Sequence, residues 1–281
     1  MKLPFTKMHG CGNDYVYFNC FAHHVQKPEE LAIQLSDHHF GIGGDGVILI
    51  CPSDTADARM RMFNADGSEG RMCGNGIRCV GKYLYDNDMV GGKTEITVET
   101  LSGIKTLVLH TERCKVETVR VDMGEAILTP AQIPVLLDGD RIVDAPIVID
   151  ERVYHMTCVS MGNPHCVVFV TEDVDSLDLA RIGPKFEHHP LFPERMNTEF
   201  VNILPDGTLK MRVWERGSGE TFACGTGACA VGVTAVLQGI AAQDTDIVVH
   251  LRGGDLTIRY TAETVYMTGP ATTVFEGVVD V

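Results

Sequence analysis

Basic residues are scarce in this chain of 281 residues, in which 23 Lys and Arg stand against 38 Asp and Glu and the formal net charge is −15. The few cationic residues are scattered along the sequence and form no basic stripe. Nucleic acids and anionic membranes are polyanions, and proteins that bind them concentrate positive charge on one surface. We therefore expect neither nucleic acid nor a membrane as a partner, and we interpret the acidity as a contribution to solubility.

Long apolar runs are also missing, although 44% of the residues are hydrophobic. No run is long enough to span a bilayer. The first residues, Met1 to Pro4, lead directly into mixed polarity without the apolar core of a signal peptide. These features predict a cytoplasmic globular protein that is long enough to form two domains with a core each.

The sequence also lacks the cysteine and histidine spacings that are typical of metal sites. The chain has ten cysteines, but none are spaced as C-x-x-C, and no Cys and His quartet has the spacing of a structural zinc site. We expect no metal, and free thiols in a reducing compartment. Seven cysteines lie in or beside apolar strand-like segments or inside predicted helices, where a thiol acts as a small buried hydrophobe: Cys20, Cys51, Cys79, Cys114, Cys158, Cys166 and Cys229.

A short motif occurs twice in the chain. Cys73-Gly74-Asn75-Gly76 and Cys224-Gly225-Thr226-Gly227 lie 151 residues apart, and each opens a segment with a helical pattern. Each half of the chain therefore places a thiol at a helix N-terminus, where backbone N–H groups and the helix dipole stabilise a thiolate. Two such thiols in equivalent positions suggest a device that works on one substrate from both sides.

The residues around the two motifs repeat as well. Three pairs share the offset of 151, and a Gly-Asn pair near the start of each half has an offset of 150: Phe63 and Trp214, Asn64 and Glu215, Glu69 and Glu220, and Gly12-Asn13 and Gly162-Asn163. This period is too long for a solenoid. The sequence therefore contains one ancestral domain twice.

Hydrophobic periodicity predicts alternating strands and helices. The predicted strands are Val47–Ile50, Ile96–Val98, Thr106–Leu109, Val116–Val121, Val167–Val170, Met211–Trp214, Ile247–Leu251 and Leu256–Tyr260. The predicted helices are Pro28–Asp37, Ile77–Asp86 and Ala228–Gln238. The last of these is apolar nearly all round, which predicts a helix enclosed by a sheet.

The paired helix starts suit one kind of chemistry. Their free N–H groups can bind the carboxylate of an amino acid and stabilise negative charge as it develops there. With one thiol on each face of the α-carbon, a thiolate would remove the α-proton and the opposite thiol would return a proton. This sequence of steps inverts the stereocentre and needs no cofactor.

Eight segments spread over the whole chain closely resemble motifs of the diaminopimelate epimerase family: MHGCGND (8–14), FNADGSE (63–69), CGNG (73–76), SMGNPHC (160–166), PERMN (193–197), ERGSGET (215–221), ACGTGA (223–228) and YMTGPA (266–271). The resemblance implies an isomerase that converts LL-2,6-diaminopimelate to the meso form without pyridoxal phosphate. The reaction belongs to lysine and peptidoglycan precursor biosynthesis.

The resemblance also assigns roles to individual residues. Cys73 and Cys224 are implied as the acid and base, and His165 and Glu215 as the groups that tune the pKa values of the thiols. The substrate-binding set that it implies holds the α-carboxylate of the reacting centre or the distal amino-acid end, and consists of Asn13, Asn64, Gly74, Asn75, Asn163, Asn197, Glu215, Arg216, Gly225 and Thr226. Many members carry glutamine where this chain has Gly46, so we expect a weaker or water-mediated contact there.

The fold implied by the resemblance is α/β, with two pseudo-symmetric half-domains, each a mixed, curled β-sheet around a central helix. We expect these half-domains to span 1–122 and 123–268, with a segment 269–281 that returns to the first. The family also implies a homodimer.

Other interpretations of these residues stay open. A proline racemase-like enzyme also uses paired cysteines, but proline has no second amino-acid end for Arg216, Asn64 and Asn197 to bind. A redox protein would use Cys73 and Cys224 as a switching disulfide. The asparagines are also typical of turns, His165 of a strand end, and Glu215 with Arg216 of a solvated ion pair.

Overall fold

A computed structural model describes residues 2–280. The chain divides into two compact units, which we call unit 1 (residues 2–122 and 268–280) and unit 2 (residues 123–267). Within the described residues, no helix is both long and apolar enough to cross a membrane.

The helices and strands alternate along the chain. In chain order they are β1 Lys2–Gly10, β2 Asn13–Asn19, α1 Pro28–Ser36, β3 Gly46–Cys51, β4 Ala58–Asn64, β5 Glu69–Gly70, α2 Gly74–Asp86, β6 Glu95–Thr100, β7 Gly103–Glu112, β8 Lys115–Asp122, β9 Ala145–Ile149, β10 Arg152–Ser160, β11 Pro164–Phe169, α3 Leu179–Glu187, β12 Asn197–Ile203, β13 Leu209–Glu215, β14 Gly219–Glu220, α4 Gly225–Leu237, β15 Asp246–Leu251, β16 Gly254–Tyr260, β17 Val265–Pro270 and β18 Thr272–Asp280. Short 3₁₀ turns cover Pro130–Gln132 and Val174–Ser176.

The internal repeat extends to the order and spacing of the elements. The elements α1, β3, β4, α2, β6 and β7 each begin 151 residues before α3, β12, β13, α4, β15 and β16. The strand pairings repeat too. In unit 1, β2 pairs with β3 and β4 with β6 in parallel, while β3 and β4 are antiparallel. In unit 2, β11–β12 and β13–β15 are parallel and β12–β13 is antiparallel. Each unit therefore contains a mixed sheet of the same topology, as predicted.

Each sheet packs around one of the two helices that follow the cysteine motifs. Helix α2 contacts β1, β2, β7 and β8, and α4 contacts β10, β11, β12, β15 and β16. All but three residues of α4 are buried, because its apolar residues cover every side of the helix. The predictions of a central helix in each half, and of a fully enclosed second helix, are confirmed.

Both helices begin three residues earlier than the apolar pattern predicts. Gly74 and Gly225 are the first helical residues, so the Gly-x-Gly segments form the first turn instead of a preceding loop. Helix α3 was not predicted at all, because it is short and has Pro184 in its interior, a residue that disfavours helices. Its position 151 residues after α1 was the available signal.

The prediction for the seven structural cysteines holds for four of them. Cys79, Cys158, Cys166 and Cys229 are buried, whereas Cys20 and Cys51 are half-buried and Cys114 is exposed. Cys114 lies with Arg113 in the turn between β7 and β8, and both residues have positive φ angles, of 60° and 50°. A turn that reverses the chain in this way projects into solvent, so the expectation of burial was wrong for Cys114.

Candidate active site

Cys73 and Cys224 each cap the N-terminus of a central helix. Both have extended backbones, with φ and ψ of −129° and 117° at Cys73 and of −119° and 108° at Cys224. The Cys73 Sγ accepts a hydrogen bond from the Gly76 N–H at 3.3 Å, and the Cys224 Sγ accepts one from the Gly227 N–H at 3.4 Å. Sulfur thus takes the place that a serine or aspartate oxygen usually occupies at an N-cap.

The N-cap position lowers the pKa of both thiols, but burial acts in the opposite direction and outweighs it. The pKa of Cys73 is raised above its ordinary value because burial exceeds the effects of the Gly76 and Asn75 N–H groups, Tyr15 and Arg78. The pKa of Cys224 is raised further. Burial is the largest cause there too, and the carboxylates of Glu215 and Glu199 add to it. Surrounding protein removes the water that would otherwise solvate a thiolate.

The surroundings of the first thiol, the Cys73 site, comprise Cys73, Asn13, Tyr15, Asp45 and Arg78. The thiol donates to Asn13 Oδ1 at 3.2 Å, and Asn13 Nδ2 donates to Asp45 Oδ2 at 2.6 Å. The Tyr15 hydroxyl also bonds to Cys73, which lowers the pKa of the thiol. Asn13 was predicted from the sequence, whereas Tyr15 and Asp45 were not, because no spacing in the sequence singles them out.

Arg78 is the cation of the Cys73 site, and it is fully buried. One turn into α2, its Nη1 donates to Gly74 O at 3.2 Å and to Asn75 Oδ1 at 3.0 Å. Its Nε donates to Pro270 O at 3.1 Å in the C-terminal part of unit 1. The guanidinium therefore connects the first turn of α2 to the backbone at Pro270. Its charge also lowers the pKa of Cys73.

The surroundings of the second thiol, the Cys224 site, comprise Cys224, His165, Glu199, Glu215 and Thr226. Ligand-type atoms of His165, Glu199 and Cys224 all lie within 4.8 Å of one another. Among residues 2–280 this is the one cluster of histidine, cysteine and acidic side chains compact enough for a metal ion. His165 Nδ1 lies 2.7 Å from Glu199 Oε1, and its Nε2 lies 3.1 Å from Asn163 Oδ1. Because both ring nitrogens have protein partners, we interpret the cluster as an acid–base group.

Glu199 was not predicted. It lies on β12 and is fully buried, and its Oε2 has no hydrogen-bond partner. Only glycine fits beside it, since a Cβ at residue 227 would lie 2.5 Å from Glu199 Oε1. In unit 1 the corresponding residue is Ile48, which would lie 2.6 Å from a Cβ at Gly76. Because the first repeat has the apolar Ile48 at this position, comparison of the two repeats did not indicate a functional role for Glu199.

Glu215 closes the other side of the Cys224 site at the end of β13. The pKa of its carboxyl group is raised, chiefly by burial, although a hydrogen bond from the Thr221 hydroxyl and the charge of His165 act in the opposite direction. Glu215 in turn raises the pKa of Cys224. The second thiol thus has carboxylates around it, whereas the first has an arginine.

The predicted substrate-binding residues differ in how their side chains are engaged. Asn75 is buried and accepts from Arg78, and Asn64 donates to Ser68 Oγ at 3.0 Å. The side-chain amide of Asn197 is buried, and both of its polar atoms bond to backbone groups. Nδ2 donates to Pro164 O at 2.7 Å, and Oδ1 accepts from the Arg216 N–H at 2.9 Å. The Arg216 side chain is exposed, and one of its Nη atoms donates to Glu194 O at 2.9 Å.

Three further positions singled out from the sequence lie at the start of α4 and of β3. Thr226 Oγ1 is 3.4 Å from Cys224 Sγ, and Gly225 is buried. Gly46, where the resemblance led us to expect glutamine, has a backbone that accepts no side chain: a Cβ there would lie 2.0 Å from the Phe63 carbonyl oxygen. A glutamine at this position would therefore require a different path of β3.

Comparison with known proteins identifies the family. The family model for diaminopimelate epimerase matches residues 5–129 and 157–274. A diaminopimelate epimerase of Agathobacter rectalis is 58% identical over 288 aligned positions, which cover 99% of this chain and 100% of the relative. A diaminopimelate epimerase of Acetivibrio thermocellus is 57% identical over 280 positions, with 99% of each chain covered.

Solved structures share the fold at low sequence identity. A probable proline racemase of Agrobacterium radiobacter superposes with a TM-score of 0.74 at 17% identity, over 99% of this chain and 92% of that one. A phenazine biosynthesis protein of Bacillus anthracis gives 0.72 at 16% identity over the full length of both chains. The predicted fold and the resemblance from the sequence motifs are confirmed, and the chain belongs to the diaminopimelate epimerase family.

Proposed function

We propose that the chain catalyses the epimerisation of LL-2,6-diaminopimelate to meso-diaminopimelate, in lysine and peptidoglycan precursor biosynthesis. The observation that carries this proposal is the pair of thiols at equivalent N-caps of an internal repeat. Relatives that are more than half identical over nearly the whole chain are named for this reaction.

The proposed mechanism is a two-cysteine proton exchange. The thiolate of one cysteine takes the proton from the α-carbon, and the electron pair of the C–H bond moves toward the α-carboxylate. The thiol of the other cysteine, Cys224 or Cys73, then gives its proton to the opposite face of the carbanion. The stereocentre is inverted, and the substrate neither gains nor loses electrons. We propose that the reaction proceeds without pyridoxal phosphate.

The helix starts are the proposed carboxylate sites. The N–H groups of the first helical turn have no partner within the helix, and the dipole adds positive potential there. We assign Gly74 and Asn75 in unit 1, and Gly225 and Thr226 in unit 2, to the α-carboxylate of the reacting centre. Hydrogen bonds to this group strengthen as charge develops, so they favour the transition state over bound substrate.

The distal amino-acid end is assigned to Arg216 with Asn13, Asn64 and Asn163. Arg216 is exposed and carries the forked donors that suit a carboxylate. Asn197 contributes indirectly, because its amide is occupied by the backbone of Pro164 and Arg216. We propose that Asn197 fixes the position of Arg216 and does not itself contact the substrate.

His165 and Glu215 are the proposed tuning groups of the Cys224 site. Glu215 raises the pKa of Cys224, so this cysteine holds its proton and is suited to act first as the acid. The charge of His165 lowers the pKa of Glu215, and Glu199 holds the histidine ring. The pKa of Cys73 is raised less, because the Gly76 and Asn75 N–H groups, Tyr15 and Arg78 lower it, whereas Glu215 and Glu199 add to the effect of burial at Cys224. Glu215 also borders the substrate in this proposal.

The test of the function is a proton-exchange assay under reducing conditions. Purified protein in deuterated water, with LL-diaminopimelate and no added cofactor, is expected to form meso-diaminopimelate with deuterium at the inverted α-carbon. The rate is expected to rise from about pH 7 toward the alkaline range, since the raised pKa of Cys73 limits the thiolate fraction. Proline serves as the comparison substrate. Racemisation of proline with no turnover of LL-diaminopimelate would contradict the proposal.

We propose a homodimer in which a second copy of the chain covers β18. This strand exposes three apolar side chains, Val274 (53%), Phe275 (46%) and Val278 (62%). Sedimentation is expected to give about twice the chain mass of 30.7 kDa, and Val278→Asp is expected to shift the equilibrium toward monomer. A monomeric wild-type protein at micromolar concentration would refute the dimer.

We also propose that the protein acts in the cytoplasm, where amino-acid precursors are made. Fractionation of cells that express the full chain tests this location.

A further inference from the structure

Two cysteines outside the candidate active site lie side by side in unit 1. Cys20 directly follows β2, and Cys51 is the last residue of β3. The two strands are parallel, with Asn19 opposite Ile50, and the Cys20 N–H donates to Ile50 O at 2.8 Å. This bond continues the ladder by one step and places Cys20 opposite Cys51. Neighbouring strands lie about 4.8 Å apart, within the range of Cα separations that a disulfide spans.

Cys20 and Cys51 lie opposite one another on neighbouring strands, so their side chains point to the same side of the sheet. Both pack against the core cluster that contains Val16, Phe18 and Val25. Each residue is half-buried, so neither is sealed in the core as Cys79 and Cys229 are. Strand register, packing and partial exposure therefore coincide at one place.

The charges around the pair favour a thiolate on Cys51. Arg59 is the cross-strand neighbour of Cys51, and Arg61 lies two residues further along β4. The pKa of Cys51 is lowered, first by the hydrogen bond from Cys20 and then by these two arginines, against the opposing effects of burial and Glu69. The same hydrogen bond is the largest cause of the raised pKa of Cys20. Cys51 differs in this respect from Cys73 and Cys224, whose pKa values are both raised.

We propose that Cys20 and Cys51 form a redox-active dithiol, which closes to a disulfide by exchange with a low-molecular-weight disulfide such as oxidised glutathione. The Cys51 thiolate attacks one sulfur of the oxidant, forms a mixed disulfide and releases one thiolate. The Cys20 sulfur then attacks Cys51, forms the Cys20–Cys51 bond and releases the second thiolate. Two protein thiols are oxidised, one external disulfide is reduced to two thiols, and the two protons pass to the leaving groups.

The dithiol is separate from the Cys73 site. Asn13 opens β2 and Gly46 opens β3, whereas the cysteines lie at the other ends of these strands. At 3.3 Å per residue, the seven positions from Asn13 to Cys20 correspond to about 23 Å. We therefore expect Cys20→Ser and Cys51→Ser to retain epimerase activity within about twofold, so that the redox state is measured on active protein.

The experiment titrates the full-length protein with oxidised glutathione, followed by acid quench, alkylation and peptide mass spectrometry. Cys114 is the internal control, because it is exposed and lone on its turn. We expect a Cys20–Cys51 peptide, lighter by two hydrogens than the reduced pair, while Cys114 carries only glutathione. Cys20 and Cys51 left reduced, or each carrying glutathione, after Cys114 has reacted would overturn the proposal.

The two single variants test the order of attack. In Cys20→Ser, glutathione is expected to stay on Cys51, because the resolving thiol is gone. In Cys51→Ser, Cys20 is expected to react at least tenfold more slowly than Cys51 does in Cys20→Ser. Equal rates in the two variants would refute the assignment of Cys51 as the attacking thiol.

Discussion

Replacing Cys73 or Cys224 by alanine is expected to reduce epimerisation of LL-2,6-diaminopimelate by about 100- to 10,000-fold, the usual contribution of a positioned acid or base. Each thiol caps its helix and accepts one N–H bond there, so each alanine variant loses both a proton carrier and the N-cap acceptor of its helix. The measurement is the initial rate of formation of the meso isomer at saturating substrate under reducing conditions.

The single variants are also expected to separate proton exchange from inversion. With one thiol left, a proton is removed from and returned to the same face. Deuterium then enters one stereoisomer without epimerisation, and the isomer differs between the Cys73→Ala and Cys224→Ala proteins. Nuclear magnetic resonance of the recovered substrate distinguishes the two outcomes.

Cys114→Ala is the matched control, because it removes an exposed thiol far in sequence from both motifs. It is expected to keep the wild-type rate. Retention of more than about a tenth of that rate in either Cys73→Ala or Cys224→Ala would exclude the two-cysteine mechanism. Loss of exchange in both proteins, with folding unchanged, would instead point to a carbanion that only the paired thiols can form.

The repeat is what made the fold predictable from the sequence. Cys73 and Cys224 share an offset with Phe63 and Trp214, and the same offset of 151 later fits six pairs of secondary-structure elements. Helix α3 shows the limit of local patterns, since Pro184 masks a helix that the repeat would have placed opposite α1. For locating the helices and strands, the internal repeat was therefore more informative than the local helix and strand propensities of the residues.

The site was only partly predictable, because motifs identify residues and not their surroundings. Cys73 and Cys224 stood out by sequence, and so did their place at helix starts. The raised pKa values of these thiols could not be predicted from the sequence, since they result from burial, and burial depends on which strands cover each thiol. Glu199 was equally hidden, because a charge inside a strand becomes meaningful only when the register places it beside His165.

The two sites also differ in ways that near-symmetric motifs conceal. Arg78 supports the first thiol, while Glu199 and Glu215 surround the second. A reaction that starts and ends with different stereoisomers needs one thiolate and one thiol. In the proposed mechanism, the unequal charges around the equivalent cysteines set that starting state before substrate binds.

Replacing Arg78 by methionine is expected to lower both the stability of the protein and the reactivity of Cys73. Asn75 Oδ1 and Pro270 O would lose a buried donor, and an unsatisfied buried acceptor costs about 1–3 kcal/mol. We expect a loss of about 2–4 kcal/mol in the free energy of unfolding. That corresponds to a fall in the melting temperature of about 5–15 °C for a chain of this size.

The effect on Cys73 has a definite sign. Arg78 lowers the pKa of Cys73, so its removal raises that pKa and reduces the thiolate fraction at neutral pH. Alkylation of Cys73 by iodoacetamide is then expected to need a higher pH than in the wild type, and epimerisation at pH 7 is expected to fall about tenfold or more. Peptide mass spectrometry across a pH series reports the two cysteines separately.

Cys224 provides the internal control for this experiment and Arg113→Met the matched one. Arg113 has a side chain 92% exposed, so its loss is expected to change neither the melting temperature nor the alkylation of either thiol. A purely structural role for Arg78 would slow activity without shifting the pH dependence of Cys73 relative to Cys224. Arg78→Lys separates the roles further: it keeps the charge but not the fork of donors, so it should preserve the Cys73 profile better than the stability.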